Sequence, residues 1–517
     1  SGGNYNVTVG DEAGTAITTG DQITAVGYGA GAAMTTNSQS SFFGYHAGLA
    51  TTGSGNNFFG TFAGEGNTSG INNVAMGNLA LRTNVDGDDN VAIGSNALRY
   101  LEPSDGSSYN TAVGSQAGIN VTTGTQNTLI GGLAGDAITT GEANVAVGYL
   151  ALSDTTTGGD NTAVGELALS NNTTAVRNTA LGSSTLFTNT TGADNVAIGT
   201  ASLYANTTAS YNTAVGKSAL TANTTGASNV AVGVEALQAN TTASGNTALG
   251  YQAGYTNTTG DDQTFIGYKA GRLATGTDNT FVGASSGASM TTGANNTILG
   301  KYNGNAGGLD IRTSSNNIVL SDGSGNPLGY RKSSDGTWVF DNATNAQNAA
   351  TIRNTGTGGN PYALGLNYPN AAPNNDSGRF LTCSDSSAIR LKIFNNGNVV
   401  NQNNSYGADS DIKLKENITD ASSQWDDIKA LTVRKYSMKA DELDAPNMLG
   451  VIAQEVEAAG MNGLVKEIAD IDKDMNDLGT TTKSVNYSIL YMKAVKALQE
   501  AMTRIETLET KVTALEG

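Results

Sequence analysis

A chain of 517 residues has room for about three domains. Its 67 glycines and 6% aromatic residues leave few bulky cores, and one Cys forms no disulfide within the chain. A net charge of −18 excludes the clustered basic face that a nucleic-acid partner needs. No apolar run reaches 18 residues and no signal peptide is evident, so neither membrane insertion nor passage through a membrane is expected. Charge is uneven along the chain. The 108 residues from Ser410 onward hold 13 Lys/Arg and 19 Asp/Glu, against 14 and 26 in the 409 before them, which marks a domain boundary.

From residue 4 to 300 one unit recurs: Asn-Thr-Ala-Val-Gly-x-x-Ala-Leu-x-x-Asn-Thr-Thr-Gly-x-x. Its central glycines run from Gly10 to Gly300 in eighteen copies spaced by 17 residues, with two steps of 16 and one of 20 that contains Glu102-Pro103-Ser104-Asp105-Gly106. A short fixed period of this kind is a solenoid. The segment Asn212-Thr213-Ala214-Val215-Gly216 alternates as a strand and ends where the backbone turns. Asn223-Thr224-Thr225-Gly226 is turn chemistry, and Ala219-Leu220 is expected as a second short strand. Stacked at about 4.8 Å per coil, eighteen coils would make a rod of roughly 85 Å, with the recurrent Asn forming an amide ladder along it. One strand face is expected to point into the coil and the other towards sister chains. Over residues 4–300 the Asn-x-Ala-Val/Ile-Gly unit resembles the left-handed β-roll heads of trimeric autotransporter adhesins, a resemblance that implies a trimer, and the solenoid shaft is expected over residues 1–308.

Residues 309–409 leave the period and read as a small β-rich tip or connector. Gly336-Thr337-Trp338-Val339-Phe340 reads as a strand, and Ile389–Phe394 with Val399-Val400 as a hairpin. Aromatics gather here. They serve as cores of a small β-domain, or, where exposed, Tyr330, Trp338, Tyr362 and Tyr368 are candidates to stack on the sugar rings of a receptor.

The run Ser410-Asp411-Ile412-Lys413-Leu414-Lys415-Glu416-Asn417-Ile418 is followed by Gly450-Val451-Ile452-Ala453-Gln454-Glu455-Val456-Glu457 and Val485-Asn486-Tyr487-Ser488-Ile489-Leu490. This order resembles the C-terminal intramolecular chaperone of phage tailspikes and tail fibres, the self-cleaving domain first associated with endosialidases. The resemblance implies an α+β chaperone over residues 410–517 that assembles a trimer and cuts itself off at Asp409–Ser410. It makes Ser410 the nucleophile and Lys415 the base, with Gln454 a further position of the cleavage site. Lys413 stands where the family often has Arg. The only histidine, His46, lies far off in the repeat, so a Ser-His-Asp triad is excluded; lysine can serve as base, the role the resemblance gives Lys415, if desolvation or neighbouring positive charge lowers its pKa towards neutrality. Enzymatic activity is thereby at most a single-turnover self-cleavage, with none expected on an external substrate.

A closing helix of about residues 488–516 places Tyr491, Ala494, Leu498, Ala501, Ile505, Leu508, Val512 and Leu515 in steps of three and four, a seam for a trimeric coiled coil. Asp470-Ile471-Asp472-Lys473-Asp474 begins like a calcium loop, but Met475 replaces the required Gly and Thr481 the required Glu. No metal and no cofactor are expected.

The fold class is therefore mainly β: a 17-residue-repeat β-solenoid, a small β tip, and a chaperone with a coiled coil. The function expected is a trimeric phage tail fibre binding a host receptor, glycan or surface protein, and attached by its N-terminal end to a virion protein. It would be assembled in the host cytoplasm. The alternative is a fibre of a phage-derived injection system, attached to its baseplate, or a bacterial surface adhesin.

Overall fold

The computed structural model describes residues 3–103, 106–331, 338–340, 379–384, 389–394, 399–401, 417–437, 448–471 and 477–517. The chain divides into two units, Ser1–Thr351 and Ile352–Gly517.

In the first unit each coil contributes one three-residue strand. Eighteen such strands, from Val7–Val9 to Thr297–Leu299, pair in parallel with the equivalent strand of the next coil. The register is that of the repeat: Thr213 faces Val230, Ala214 faces Ala231 and Val215 faces Val232. Where the sequence takes its 20-residue step, Gly106–Ser107 forms an added parallel bridge with Gly87–Asp88. Ile318–Ser321 extends the ladder beyond Thr297–Leu299, and the chain then reverses into the antiparallel strands Pro327–Arg331 and Trp338–Phe340. In the second unit Arg379–Ser384, Ile389–Phe394 and Val399–Asn401 form an antiparallel sheet, with the expected hairpin between the last two.

The second strand expected at Ala219-Leu220 does not form. Ser218 and Leu220 take left-handed conformations, with φ of +57° and +51°, so the segment is a run of turns. Each such residue costs about 1 kcal/mol or more, and the stack offsets that cost with hydrogen bonds. Ser218 N–H donates to the Thr200 carbonyl and Leu220 N–H to the Ala236 carbonyl, both at 3.0 Å, so successive amides reach the two neighbouring coils in turn. Gly216 closes the turn at φ +133°, where a Cβ would stand 2.5 Å from the Gly233 carbonyl oxygen.

The interior is narrow enough that each coil admits one large side chain. Ala214 and Leu220 fill one coil and are fully buried, as are Ala231 and Leu237 in the next. Where the strand instead carries Phe265, the turn position opposite is Gly271, and the coil before it carries Gly254. A Cβ on Gly271 would lie 2.3 Å from the Phe265 ring, and one on Gly254 2.6 Å from it. Phe42, Phe58, Leu129 and Phe281 each meet a glycine in the same way, at Gly48, Gly64, Gly135 and Gly287. Volume is thus shared between neighbouring coils: the coils of Ala25/Gly31, Ala112/Gly118 and Ala248/Gly254 carry no large residue of their own at these two positions, and Phe42, Leu129 and Phe265 of the next coil reach into that space.

Buried asparagine rows supply the expected ladder. Asn229 N–H donates to Asn212 Oδ1 at 3.0 Å, and Asn212 Nδ2 donates to the Gly226 carbonyl at 2.9 Å. A second row runs through Asn189, Asn206, Asn223 and Asn240, each amide donating to the Oδ1 of the coil before it. Leu101, Val121 and Ile138 occupy this second column in the middle of the stack, and Asn84 Oδ1, next to Leu101 in the column, is buried without a partner.

The outward side of every strand is apolar at its third residue. All eighteen coils carry Val, Ile, Leu, Met or Phe there, and Met76, Leu181, Leu249 and Leu299 remain 43–47% exposed.

Size exchange within a coil predicts a rescue. Gly271→Leu alone should lower the thermal midpoint sharply, and Phe265→Ala alone should cost about 3–5 kcal/mol through the cavity it leaves. Together they recreate the Ala/Leu coil, and a double-mutant cycle should recover much of the loss. Additive losses would refute the shared-volume account.

Candidate functional site

The C-terminal part of the second unit is built on short elements. Helix α1 spans Trp425–Ala430, strand Arg434–Tyr436 pairs antiparallel with Met448–Gly450, and helix α2 spans Ala453–Ala458. A turn at Asn462–Leu464 leads into the hairpin Val465–Ile471 with Asp477–Val485, and helix α3 runs from Tyr487 to Glu516. Val456, Met461, Leu464 and Leu490 make a small core.

Around Gln454 the geometry is tightly specified. Gly450 is buried, and a Cβ there would lie 2.7 Å from the Tyr487 hydroxyl and 3.0 Å from the Tyr436 ring. Val451 N–H donates to the Tyr487 hydroxyl at 3.3 Å, so the first residue of α3 reads the turn that starts α2. Arg434 clasps Glu455 with Nη2–Oε1 at 2.7 Å and Nε at 3.1 Å from both oxygens. That guanidinium holds the Glu455 carboxyl below the ordinary glutamate range. On the next turn Glu457 binds Lys483 at 2.7 Å, and Lys483 also reaches Glu467 at 3.2 Å. These hydrogen bonds, to Glu457 first, raise the lysine's pKa and keep it charged. Helix α2 is thus staked on two sides, and Gln454 projects exposed from its first turn.

The structure places Gln454 but not its expected companions: Asp409, Ser410 and Lys415 lie outside the described residues, as do Tyr362 and Tyr368. Of the other candidate aromatics, Tyr330 packs half-buried against the solenoid core and Trp338 is 47% exposed. Arg434, Tyr436, Lys483 and Tyr487 escaped the sequence reading. Arg434 lies 21 residues from Glu455, a separation with no local periodicity to betray it. Tyr487 carried a signal, since it sits inside the quoted Val485–Leu490 motif.

Among the described residues, the anchors of helix α3 end at Arg504. Lys493 Nζ binds Asp427 at 2.6 Å, Glu500 accepts from Ser423 Oγ at 2.7 Å and from Gln424 N–H, and Arg504 lies 4.5 Å over the Trp425 ring. From Ile505 onward every residue is exposed, including Leu508, Val512 and Leu515. With Leu498 they form an apolar row that one chain leaves open. No described helix is long and apolar enough to cross a membrane, and no described cluster of His, Cys, Asp or Glu could hold a metal.

Solenoid and C-terminal unit together define a fibre-type protein with a folding domain at its C-terminal part. Residues 410–466 match the family model described as the chaperone of endosialidase, which places Gln454, Glu455 and Arg434 inside a domain of that type. No curated protein matches the chain.

The Arg434–Glu455 clasp makes a pH prediction. Because the Glu455 carboxyl is depressed below its ordinary value near 4.5 in the fold, its contribution is present above that pH and lost as pH falls through the lower folded value. The acid limb of unfolding of this unit should be shallower in Glu455→Gln than in the wild type. Parallel acid limbs would show that the clasp carries none of the dependence.

Proposed function

We propose that the chain forms a homotrimeric phage tail fibre that attaches to a host surface, and that residues 410–517 bring its three copies into register before detaching. The observation that carries this reading is a pair of apolar rows: the third residue of every solenoid strand, seven of them exposed and the rest half-buried, and the exposed Leu498, Ile505, Leu508, Val512 and Leu515 on α3. Contiguous exposed apolar surface of this extent marks an interaction face. Copies of the same chain cover it with matching period along its whole length, and a closed symmetry leaves no row open. The number three, the tail and the host surface come from the resemblance of the C-terminal motifs.

Assembly would begin at α3, whose 30 residues span about 45 Å. Three such helices align the chains, and the solenoids then associate coil by coil. Ser410 Oγ attacks the Asp409 carbonyl carbon while Lys415, neutral, accepts the hydroxyl proton. The amide bond breaks, the Ser410 nitrogen takes a proton, and water hydrolyses the resulting ester to release a fragment ending at Asp409. Loss of the aligning domain makes the assembled state hard to reverse, because refolding would have to begin without it.

Intact mass and light scattering test this together. Wild type should yield a trimeric product ending at Asp409, Ser410→Ala a trimer of full-length chains, and Ile505→Glu an uncleaved monomer. Full-length chains in the wild type would remove the catalytic assignment, and a monomer there would remove the fibre.

A further inference from the structure

In a repeat protein the structural requirements of each coil are met by the consensus, so coincident departures from it point to something else. Three departures coincide on the first unit. The single 20-residue step lies between Gly94 and Gly114. Six residues after the central glycine most coils carry a small or short polar residue, Asn120 among them, but this coil carries Tyr100, the only aromatic in that column. Eight residues after the glycine the column is almost entirely Thr, and Glu102 is its only charged member.

Folding brings these departures into one cleft of about 530 Å³, where Tyr100, Glu102 and Asn120 meet the hydroxyl-bearing Thr83, Thr122 and Thr139 of the neighbouring coils. The volume falls within the range of small-ligand sites. Arg99 lies over the Tyr100 ring at 4.9 Å, yet the residue stays 40% exposed, so the ring is held in place and still offers surface. Asn120 Nδ2 is directed by a 2.8 Å bond to the Asp136 carbonyl. Thr122 and Thr139 donate along the stack to the carbonyls of Thr139 and Thr156, which leaves their oxygens as acceptors. The cleft sits six to eight residues past the central glycine of each coil, whereas the apolar strand row precedes it, so the two surfaces use different parts of the coil.

We propose that this cleft binds a neutral hexose unit of a surface glycan, an assignment that rests on the host-attachment reading above. An exposed, immobilised aromatic ring stacks on the C–H face of a pyranose. A carboxylate accepts hydrogen bonds from vicinal hydroxyls, and an amide with threonine oxygens completes a set of donors and acceptors suited to uncharged polyols. Glu102 is the only charge lining the cleft and the chain carries −18 overall, so an acidic sugar is disfavoured. Three copies per fibre would add avidity to sites that are weak singly.

Saturation-transfer NMR on the full chain tests this, using a mixture of the methyl glycosides of glucose, mannose, galactose and N-acetylglucosamine, with methyl N-acetylneuraminate as the acidic counterpart. Transfer to at least one neutral glycoside is expected, weakened about tenfold by Tyr100→Ala and by Glu102→Gln. Unchanged melting of both variants, followed by circular dichroism, would exclude misfolding as the cause. Transfer that survives both variants places the sugar site elsewhere and overturns the cleft while sparing host attachment. No transfer, or transfer from the acidic glycoside alone, overturns the neutral-hexose assignment, and the mass and scattering measurements then judge the fibre independently.

Discussion

Hydrogen bonding between coils one repeat apart is the constraint from which the first unit follows. Each short strand has only three residues with which to bond to the coil on either side, so the remaining backbone must also find partners in the stack. Left-handed residues at Ser218 and Leu220 solve this by sending alternate amides to the two neighbours. The same conformation aims the Leu220 side chain inward, so backbone satisfaction and core filling are one event. Asparagine rows do for the corners what the strands do for the flat side, with amides such as Asn206 and Asn223 tied both to a neighbouring coil and to the backbone of their own turn.

A cross-section this small has little freedom in composition. Where a large residue sits on the strand, glycine stands at the turn opposite, and in places such as Gly254 also in the coil before it. The stack is accordingly stable by repetition, each interface adding a similar increment. It also leaves an apolar row at the third residue of every strand, half-buried to exposed, beside first residues that are mostly Thr.

The C-terminal unit works by different physics. Its described core has four buried side chains, and most of its specificity lies in ion pairs at half-exposed positions, Arg434 with Glu455 and Lys483 with Glu457. Pairs of that kind contribute little stability in isolation, but they fix orientation: α2 is held so that Gln454 projects outward, and Tyr487 ties the start of α3 to the Gly450 turn. Among the described residues, α3 is exposed from Ile505 to its end. Such a unit is suited to completing itself through association, in keeping with the chaperone family that residues 410–466 match.

Much of this was legible from the residues alone. The 17-residue period, the Asn ladder, the hairpin at Ile389–Phe394, the chaperone motifs and the apolar steps of α3 are all local patterns, written in spacing and side-chain type. Hydrogen-bonded periodicity is by nature visible in a repeating sequence. What the sequence could not determine were features set by partners far apart in the chain or by backbone conformations outside the common menu. The expected strand at Ala219-Leu220 failed because the stack's own hydrogen bonds override the local preference of those residues. Arg434 was invisible because only the fold brings it to Glu455. Tyr100 and Glu102 were isolated departures, and Asn120 an ordinary member of its column, until the coils stacked them into one cleft, since adjacency across a solenoid is a property of the tertiary structure and not of the order of residues.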